Sequence, residues 1–346
     1  MPLSKTTACV TLVLLALTLP AAAGSRIVEF DAPGRNFVVP GNAIDAKGQS
    51  IGFYFDTARN LESSFIRSKS GALAIVAPGS GNPLVAHAIA GPGLVTGLFE
   101  TGGDAPEGFV TDAAGDLTRF TVPGANMDAF GTQPSAINAS GMVTGFYSPS
   151  GQEYARGFVR DPQGNLTLFD GPDADTVEGG TFPTAINEGG DVVGTTQNGD
   201  TVSAFVRKAN GKAKLVRVPK GSLYSLAVGI NRSGAIAGIY TLAGNDTYGY
   251  LCDKAGALTS FKVNGSHPTV SGVNDGGSIV GWIFDTNAAA HSFVRAPGGG
   301  IKMFDAPGAG IAQGQGTFAT SINSKGMIAG YYVTADKVHH GFIRRP

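Results

Sequence analysis

The sequence contains a repeat, and three sets of polar side chains recur at equivalent positions of it; we call each set a column. Together with one cysteine, these columns are the residues best able to do chemistry. The first column, the Asn column, directly follows a short apolar segment in each repeat. Its members are Asp45, Asn138, Asn187, Asn231, Asn274 and Asn323, with Ala90 as the exception. Such side chains could supply ligand oxygens, but Asn at the start of a tight turn commonly hydrogen-bonds to its own backbone. Because the column recurs in nearly every repeat, we interpret it as structural.

The second and third columns contain aspartates and histidines. Asp31, Asp170 and Asp305 each follow a Phe in an FDAPG-like pattern, and we expect them to hydrogen-bond within the following turn. His291 and His340 occupy equivalent places two residues before a repeated aromatic, with His339 adjacent. Neighbouring strand residues point to opposite faces, so this pair does not predict a metal site. Other repeats carry different polar residues there: Ser63, Glu107, Arg156, Ser203 and Tyr248.

No motif for catalysis or for cofactor binding occurs in the chain. A nucleophile elbow, His-Glu-x-x-His, a paired-cysteine zinc pattern, an EF-hand loop and a phosphate-binding loop are all missing. Cys252 lies where other repeats place Arg or Thr, and we expect it to be a passive strand residue. The sequence therefore predicts no catalytic, cofactor-binding or metal-ligating residue, and it leaves the ligand-binding residues unknown.

The N-terminus is typical of an export signal. Lys5 precedes the apolar run from Ala8 to Leu19, and Ala21 to Ala23 fit a cleavage site. We predict a cleaved signal peptide, residues 1–23, and one domain, residues 24–346, exported to the periplasm or the outside. Loss of Lys5 leaves 24 basic against 26 acidic residues. This balance, without a basic run, makes nucleic acid or an anionic membrane an unexpected partner.

The rest of the chain is one unit repeated about seven times. The unit has a Gly three residues and another Gly seven residues after the Asn position. Its best example reads as four short strands with turns between them: Ser135–Ile137, Met142–Tyr147, Gly157–Arg160 and Leu166–Asp170. The second strand is apolar on both faces, which indicates packing on both sides. The glycine inside that strand predicts close approach repeated around a ring.

The chain ends distinguish a ring from a solenoid. After the predicted cleavage, the chain begins with a lone fourth strand, Ile27–Asp31, and ends with a third strand, Phe342–Arg344, that lacks a fourth. We predict that these two strands pair and close the ring. The predicted fold is all-β, a seven-bladed β-propeller with four-stranded antiparallel blades. Ala90 to Gly93 replace the Asn turn, so an irregular blade is expected there.

The segments FDAPG, AINASG, VTGFY and GFVRD resemble the HAF-type extracellular repeats of secreted bacterial proteins. The resemblance covers essentially all of residues 24–346. It implies export and a repeated β fold. It implies no established activity and supplies no catalytic residue.

Variable loops between the second and third strands share one face, which we call the loop face. Its acidic residues are Asp56, Glu100, Asp104, Glu107, Glu153, Asp200, Asp246, Asp285 and Asp336. We favour a monomeric, non-enzymatic binding module for a carbohydrate, a protein or a cell-envelope component, docked on this face or at the channel mouth. One alternative is a secreted polysaccharide hydrolase or lyase, which for hydrolysis needs two converging carboxylates. Another is a structural surface protein.

Overall fold

A computed structural model describes residues 27–32, 38–56, 61–76, 83–91, 93–100, 105–126, 130–177 and 179–346. Within these ranges the chain is all-β, with strands and turns and no helix. It follows that no described helix has the length and apolar character needed to cross a membrane. The predicted signal peptide, residues 1–23, lies outside the described residues.

The described residues form 28 strands, four for each repeat. In chain order they are β1 Ile27–Phe30, β2 Val38–Ile44, β3 Ser50–Asp56, β4 Leu61–Arg67, β5 Leu73–Val76, β6 Leu84–Ala90, β7 Leu94–Phe99, β8 Glu107–Thr111, β9 Leu117–Phe120, β10 Thr132–Ile137, β11 Val143–Tyr147, β12 Arg156–Arg160, β13 Leu166–Phe169, β14 Gly180–Ile186, β15 Val192–Asn198, β16 Thr201–Arg207, β17 Ala213–Leu215, β18 Tyr224–Ile230, β19 Ile236–Leu242, β20 Asp246–Cys252, β21 Leu258–Phe261, β22 Thr269–Val273, β23 Ile279–Phe284, β24 Ala290–Arg295, β25 Ile301–Phe304, β26 Gly316–Ile322, β27 Ile328–Val333 and β28 His339–Arg344.

Each repeat forms a sheet of four antiparallel strands in meander order, as in β10-β11-β12-β13. Single parallel pairs, Val202 with Tyr224 and Ala290 with Gly316, link two neighbouring sheets in each case. The predicted four-stranded unit is therefore confirmed, with different bounds. The largest difference is in β10, which begins at Thr132 rather than Ser135.

The last sheet is completed by the first strand of the chain. β1 pairs antiparallel with β28, with Ile27 opposite Arg344 and Phe30 opposite Gly341. The pairing includes Gly341, which the sequence analysis left out, and ends before Asp31. β1 is thus the fourth strand of the sheet formed by β26, β27 and β28.

Neighbouring sheets are joined by a repeated aromatic contact. In five cases the Phe of a fourth strand packs edge-on against the Phe of the next third strand, as Phe169 does on Phe205 at 6.2 Å between ring centroids. An Arg at the end of that third strand covers the same ring, and the Arg207 guanidinium lies 4.8 Å from the centre of Phe169. Phe30 on β1 makes the same contacts with Phe65 and Arg67 of the following sheet. The fourth strands β5 and β17 contain no Phe.

First strands also contact one another in sequence. β2 contacts β6, β6 contacts β10, and the series continues through β14, β18, β22 and β26. β26 in turn contacts β2. The first strand of every sheet therefore has a first strand on either side.

A one-residue bulge interrupts each described first strand from β6 onward, and a glycine on the second strand makes room for it. In β10 the register shifts between Pro134 and Ala136, which leaves Ser135 as the extra residue. A side chain on Gly145 would put its Cβ 2.1 Å from the Gln133 carbonyl oxygen. The close approach predicted for this glycine column is confirmed, and its partner is the adjacent first strand of the same sheet.

The repeat expected to be irregular at Ala90–Gly93 has the usual strands. β6 and β7 pair in the common register, with the bulge between Ala86 and Ala88. The Gly93 amide donates to the Ala90 carbonyl at 3.2 Å, which forms the turn without an Asn side chain. Pro92 lies outside the described residues.

Candidate functional site

The Asn column has two bonding roles, of which the sequence analysis predicted one. Asn187 Oδ1 accepts the backbone N–H groups of Gly189 and Asp191 at 3.0 and 2.9 Å, which stabilises its own turn. Its Nδ2 donates to the Asn231 carbonyl oxygen in the next sheet at 3.1 Å. The side chain is 6% exposed. It therefore joins two sheets as well as capping a turn.

The same inter-sheet bond recurs around much of the molecule, and we call the series the asparagine network. Nδ2 of each Asn donates to the carbonyl of the next column member, at 2.8 to 3.1 Å, in the order Asn138, Asn187, Asn231, Asn274, Asn323 and finally Asp45 as acceptor. Asp45 has no amide to donate, and Ala90 has no polar side chain. The network therefore lacks its bonds in the first two repeats.

Asp45 keeps the turn but leaves one oxygen without a partner. Its Oδ1 accepts the Lys47 and Gln49 amides at 2.9 and 2.8 Å, as an Asn would. Its Oδ2 is buried and has no hydrogen-bond partner among the described residues. Burial raises the pKa of this carboxyl, although the turn amides and Lys47 act in the opposite direction.

The aspartate and histidine columns meet each other, which corrects the expectation for the aspartates. Their carboxylates bond across the sheet to the entry residue of the third strand instead of bonding within the following turn. Asp170 binds Arg156 through two bonds of 2.8 and 2.9 Å, and Asp31 binds His340 Nδ1. His291 lies between Asp305 at 2.8 Å and Asp285 at 3.5 Å. Burial opposes the charged form of His291, but both carboxylates outweigh it and raise its pKa.

His339, His340 and the cysteine also make packing contacts. His339 stacks on Tyr331 and His340 on Tyr332, so the adjacent pair points in different directions, as predicted. Within the described ranges, no group of three or more His, Cys, Asp or Glu side chains has an arrangement that could hold a metal ion. Cys252 is 5% exposed at the end of β20, where other third strands carry the stacking Arg. Burial and Asp253 raise the pKa of its thiol, which disfavours the reactive thiolate.

The loop-face acids mostly bind within their own repeats. Glu107 pairs with Arg119 at 3.4 Å, and Asp246 accepts bonds from Tyr248 and Lys262. Asp285 accepts two amides of its own turn at 2.8 and 2.9 Å, and Asp336 accepts the Thr334 hydroxyl. Glu100, Glu153 and Asp200 are exposed, Asp104 lies outside the described residues, and the side chain of Asp56 is not described. The described members belong to six different repeats.

A cavity of about 390 Å³ lies among the first strands β6, β10 and β14. Its lining residues are His87, Gln133, Pro134, Ser135, Phe146, Phe182, Pro183 and Thr184. His87, Ser135 and Thr184 are the bulged residues of three successive first strands, so the bulges place polar groups here. None of the lining residues carries a carboxylate.

Two aromatic rings form the apolar part of this cavity. Phe146 on β11 packs edge-on against Phe182 on β14, with 5.3 Å between their centroids. Both side chains are half-buried and keep part of their surface accessible. Around them, the Gln133 amide donates to the Phe130 carbonyl and the Thr184 hydroxyl donates to the Ala227 carbonyl at 2.7 Å. These bonds hold polar side chains beside an accessible aromatic surface.

His87 has a defined protonation pattern. Its Nδ1 lies 2.7 Å from the Pro134 carbonyl oxygen, which can only accept, so Nδ1 carries the hydrogen. Burial lowers the pKa of the imidazole, although the bond to Pro134 acts in the opposite direction. The neutral ring then has its lone pair on Nε2. His87 can therefore accept a hydrogen bond or a proton from a group in the cavity.

The sequence analysis missed this cavity, although a pattern for it exists. The residue three positions before each Asn-column member is mostly polar within a first strand that is otherwise rich in small and apolar residues. From the second repeat onward these residues are His87, Ser135, Thr184, Val228, Ser271 and Thr320. A polar residue at an odd place in a strand is a signal for a bulge.

No family model and no curated protein matches the sequence. Several solved structures are similar in fold. Virginiamycin B lyase from Staphylococcus aureus has a TM-score of 0.55 at 13% identity, over 92% of this chain and 98% of that one. The β-propeller domain of the Trilobed protease from Pyrococcus furiosus, with an open velcro topology, has a TM-score of 0.60 at 12% sequence identity, over 88% of this chain and 91% of that one. A putative TolB from Agrobacterium tumefaciens has a TM-score of 0.50 at 12% sequence identity, over 86% of this chain and 97% of that one. The chain therefore has a β-propeller fold.

Proposed function

We propose that this chain is a closed, seven-bladed β-propeller whose channel cavity binds a carbohydrate, without cleaving it. Closure is supported by the pairing of β1 with β28 and by the contact of β26 with β2. The Asn323 amide also donates to the Asp45 carbonyl at 2.8 Å, the same bond that joins internal repeats. The last and first repeats thus meet through contacts that also join internal repeats such as those of Asn187 and Asn231.

Export and membership of the HAF-type repeat family are part of this proposal. The apolar N-terminal segment with Lys5 and three alanines supports export. The repeated FDAPG, AINASG and GFVRD segments support the family. A binding protein that works outside the cell meets glycans of the envelope and the surroundings, which fits the ligand class.

The cavity is the observation that carries carbohydrate binding. Its volume of about 390 Å³ is in the range of small-ligand sites, roughly 300–1,000 Å³. Sugars present apolar C–H faces and many hydroxyl groups. Phe146 and Phe182 offer aromatic surface for the first, while His87, Ser135 and Thr184 offer hydrogen-bond partners for the second.

Hydrolysis by a carboxylate pair is less well supported than binding. A glycosidase needs two carboxyl groups about 5–10 Å apart, and the lining residues contain none. An elimination reaction is the second candidate, because the Nε2 lone pair of His87 can remove a proton. Analysis of the reaction products in the same samples distinguishes binding alone from an elimination reaction.

The test uses the exported protein, residues 24–346, and a panel of neutral and uronate-containing oligosaccharides. Calorimetry should show binding that Phe146→Ala and His87→Ala weaken at least tenfold. Ser271→Ala is the matched control, because Ser271 is the bulged residue of β22 and does not line the cavity. Binding that the control weakens equally, or no binding at all, contradicts the proposal and favours a protein partner or a structural role. New unsaturated products that disappear in His87→Ala establish the lyase instead.

Ring closure has a separate test. Removal of Arg26–Gly34 takes away β1 and leaves the edge of β28 unpaired. The loss of this strand and of the Phe30 contacts should cost several kcal/mol and promote association through the open edge. Unchanged melting temperature and an unchanged monomer in size-exclusion chromatography would rule out a closing role for β1.

A further inference from the structure

A second cavity, of about 700 Å³, lies where the first and last repeats meet. It is lined by Lys47, Gln49, Ser68, Lys69, Ser70 and Lys325. These residues come from the turns β2–β3, β4–β5 and β26–β27, which are at the opposite strand ends from the loop face. We call this group the lysine cavity. The Cβ that a side chain would add to Gly48 lies 2.5 Å from Met327 Cε, so two of these turns are in close contact.

Its three ammonium groups form no ion pair among the described residues, although the charge of Lys47 also acts on the buried Asp45 carboxyl of its own turn. Lys47, Lys69 and Lys325 are all exposed, and none forms an ion pair there. Two basic residues of comparable turns elsewhere are paired. Lys208 binds Asp191 at 2.8 Å, and Arg232 approaches Asp275 at 3.9 Å. Three like charges around one cavity repel each other, and a bound anion removes this repulsion.

The turn after β4 also lacks the carboxylate that occupies this place in three other repeats, whereas the turns after β16 and β24 begin with Lys208 and Ala296. Asp112, Asp161 and Asp253 begin the corresponding turns, where each accepts backbone amides. Ser68 replaces them, and its hydroxyl accepts the Ala72 amide at 3.0 Å. Ser68 also lies 2.9 Å from the Ser70 hydroxyl. The turn is thus capped without a negative charge, and two hydroxyl groups stand beside the lysines.

From this arrangement we infer an oxyanion site, which takes a phosphate or sulfate group, free or esterified on a polymer. The ammonium groups supply charge-assisted hydrogen bonds, and the serine hydroxyls supply neutral ones. The formal charge of the chain is only −1, so this is a local feature and not a consequence of a basic protein. The site is independent of the carbohydrate cavity, because the two share no residue.

The experiment measures retention on heparin, a sulfated polysaccharide, together with calorimetry using inorganic phosphate and inorganic sulfate. The double variant Lys69→Gln/Lys325→Gln should lose at least tenfold in affinity and elute at lower salt. Lys254→Gln is the matched control. Lys254 has the same turn position as Lys69, but it follows Asp253. The control should behave as the unmodified protein does.

Each outcome decides something. Saturable binding of inorganic phosphate or sulfate identifies a site for the free ion, and retention on heparin alone identifies a polymer ester. Both support the site if the double variant loses the signal and the control keeps it. Equal loss in the control indicates general charge attraction and overturns the inference. Absence of binding to all three probes overturns it as well. Circular dichroism spectra should be unchanged in both variants.

Discussion

The arc from Asn138 to Asn323 and the sector around Asp45 and Ala90 form the same backbone turns with different side chains. In the arc, each Asn caps its own turn and donates to the next repeat. In the sector, Asp45 caps its turn but cannot donate, and Ala90 does neither. The turns survive in both, so the backbone and its glycines are sufficient for the turn. The Asn amide therefore serves the contact between repeats.

Asp45 not only lacks the bond to the next repeat but also buries an oxygen atom that has no hydrogen-bond partner within the described residues. Its unpartnered Oδ2 is on a residue only 3% exposed, and an unsatisfied buried polar atom destabilises the folded state. Asn is nearly the same size and replaces that oxygen with a donor. The four predictions that follow exchange side chains between the arc and the sector.

The largest effect is expected for Asn231→Ala, which brings the Ala90 situation into the arc. The change removes the bond to the Asn274 carbonyl at 3.1 Å and the acceptor for the Ala235 amide at 2.9 Å. It should lower the free energy of unfolding by ~2–4 kcal/mol. Urea denaturation measures it. Ser233→Ala is the control, because it removes only a hydroxyl bond to Asn231 Oδ1. Equal effects of the two variants would show that the amide does not join the repeats.

Asp45→Asn should raise the free energy of unfolding by ~1–2 kcal/mol at neutral pH. The new amide replaces the unpartnered Oδ2 and, by analogy with Asn187, is expected to donate toward the next repeat, which contains Ala90. Asp45→Ala, which loses both turn bonds, is the opposing control and should destabilise. A melting temperature that falls in Asp45→Asn would contradict the account of this sector.

The advantage of Asp45→Asn should shrink as the pH falls. Burial raises the pKa of Asp45 in the folded state above its ordinary value of 3.8, so the charged form is disfavoured in the folded chain. At a pH above the folded-state pKa of Asp45, the buried charge destabilises the folded state to its full extent. As the pH falls through that pKa toward the pKa of Asp45 in the unfolded chain, protonation removes this destabilisation. All other acids are common to both proteins, so the difference between their urea midpoints isolates Asp45. A difference that is constant with pH would exclude this carboxyl as its source.

The smallest effect is expected for Ala90→Asn, which adds one donor next to the Asn138 carbonyl. Pro92 lacks an amide hydrogen, so one of the two bonds to the turn is not available there. The gain should be about 0.5–1 kcal/mol in urea denaturation. Ala90→Ser, whose hydroxyl is too short to bridge two sheets, is the control. A similar gain from both would indicate a better turn and not a new inter-repeat bond.

Most of the architecture was accessible from the sequence because it depends on local rules applied many times. Asn-x-x-Gly turns, apolar second strands and the incomplete hairpin at the C-terminus led to four-stranded sheets and to the partner of Ile27–Phe30. The bulges were not predicted, because an extra residue such as Ser135 depends on the clearance between a carbonyl and a glycine across two strands. The cavity depends on three bulges meeting, which a single repeat does not reveal.

The columns also interact in ways that one column does not show. Asp305 and His291 were assigned separate roles, yet the pairing of β24 with β25 brings them within 2.8 Å. The hairpin of third and fourth strands was predicted without its register, and working out that register would have placed these two side chains together. Asn Nδ2 donation was not accessible, because it requires the distance between neighbouring sheets.

From Asn138 to Asn323, the asparagine network joins successive repeats through the same donor and the same acceptor. Every Asn needs only a carbonyl from whichever repeat follows it, and its own carbonyl is ready for whichever repeat precedes it. Duplication of one unit in the gene would insert a donor and an acceptor together and leave no bond unmatched at the new boundary. A gene can therefore gain or lose whole units without leaving an unmatched asparagine bond where two units join.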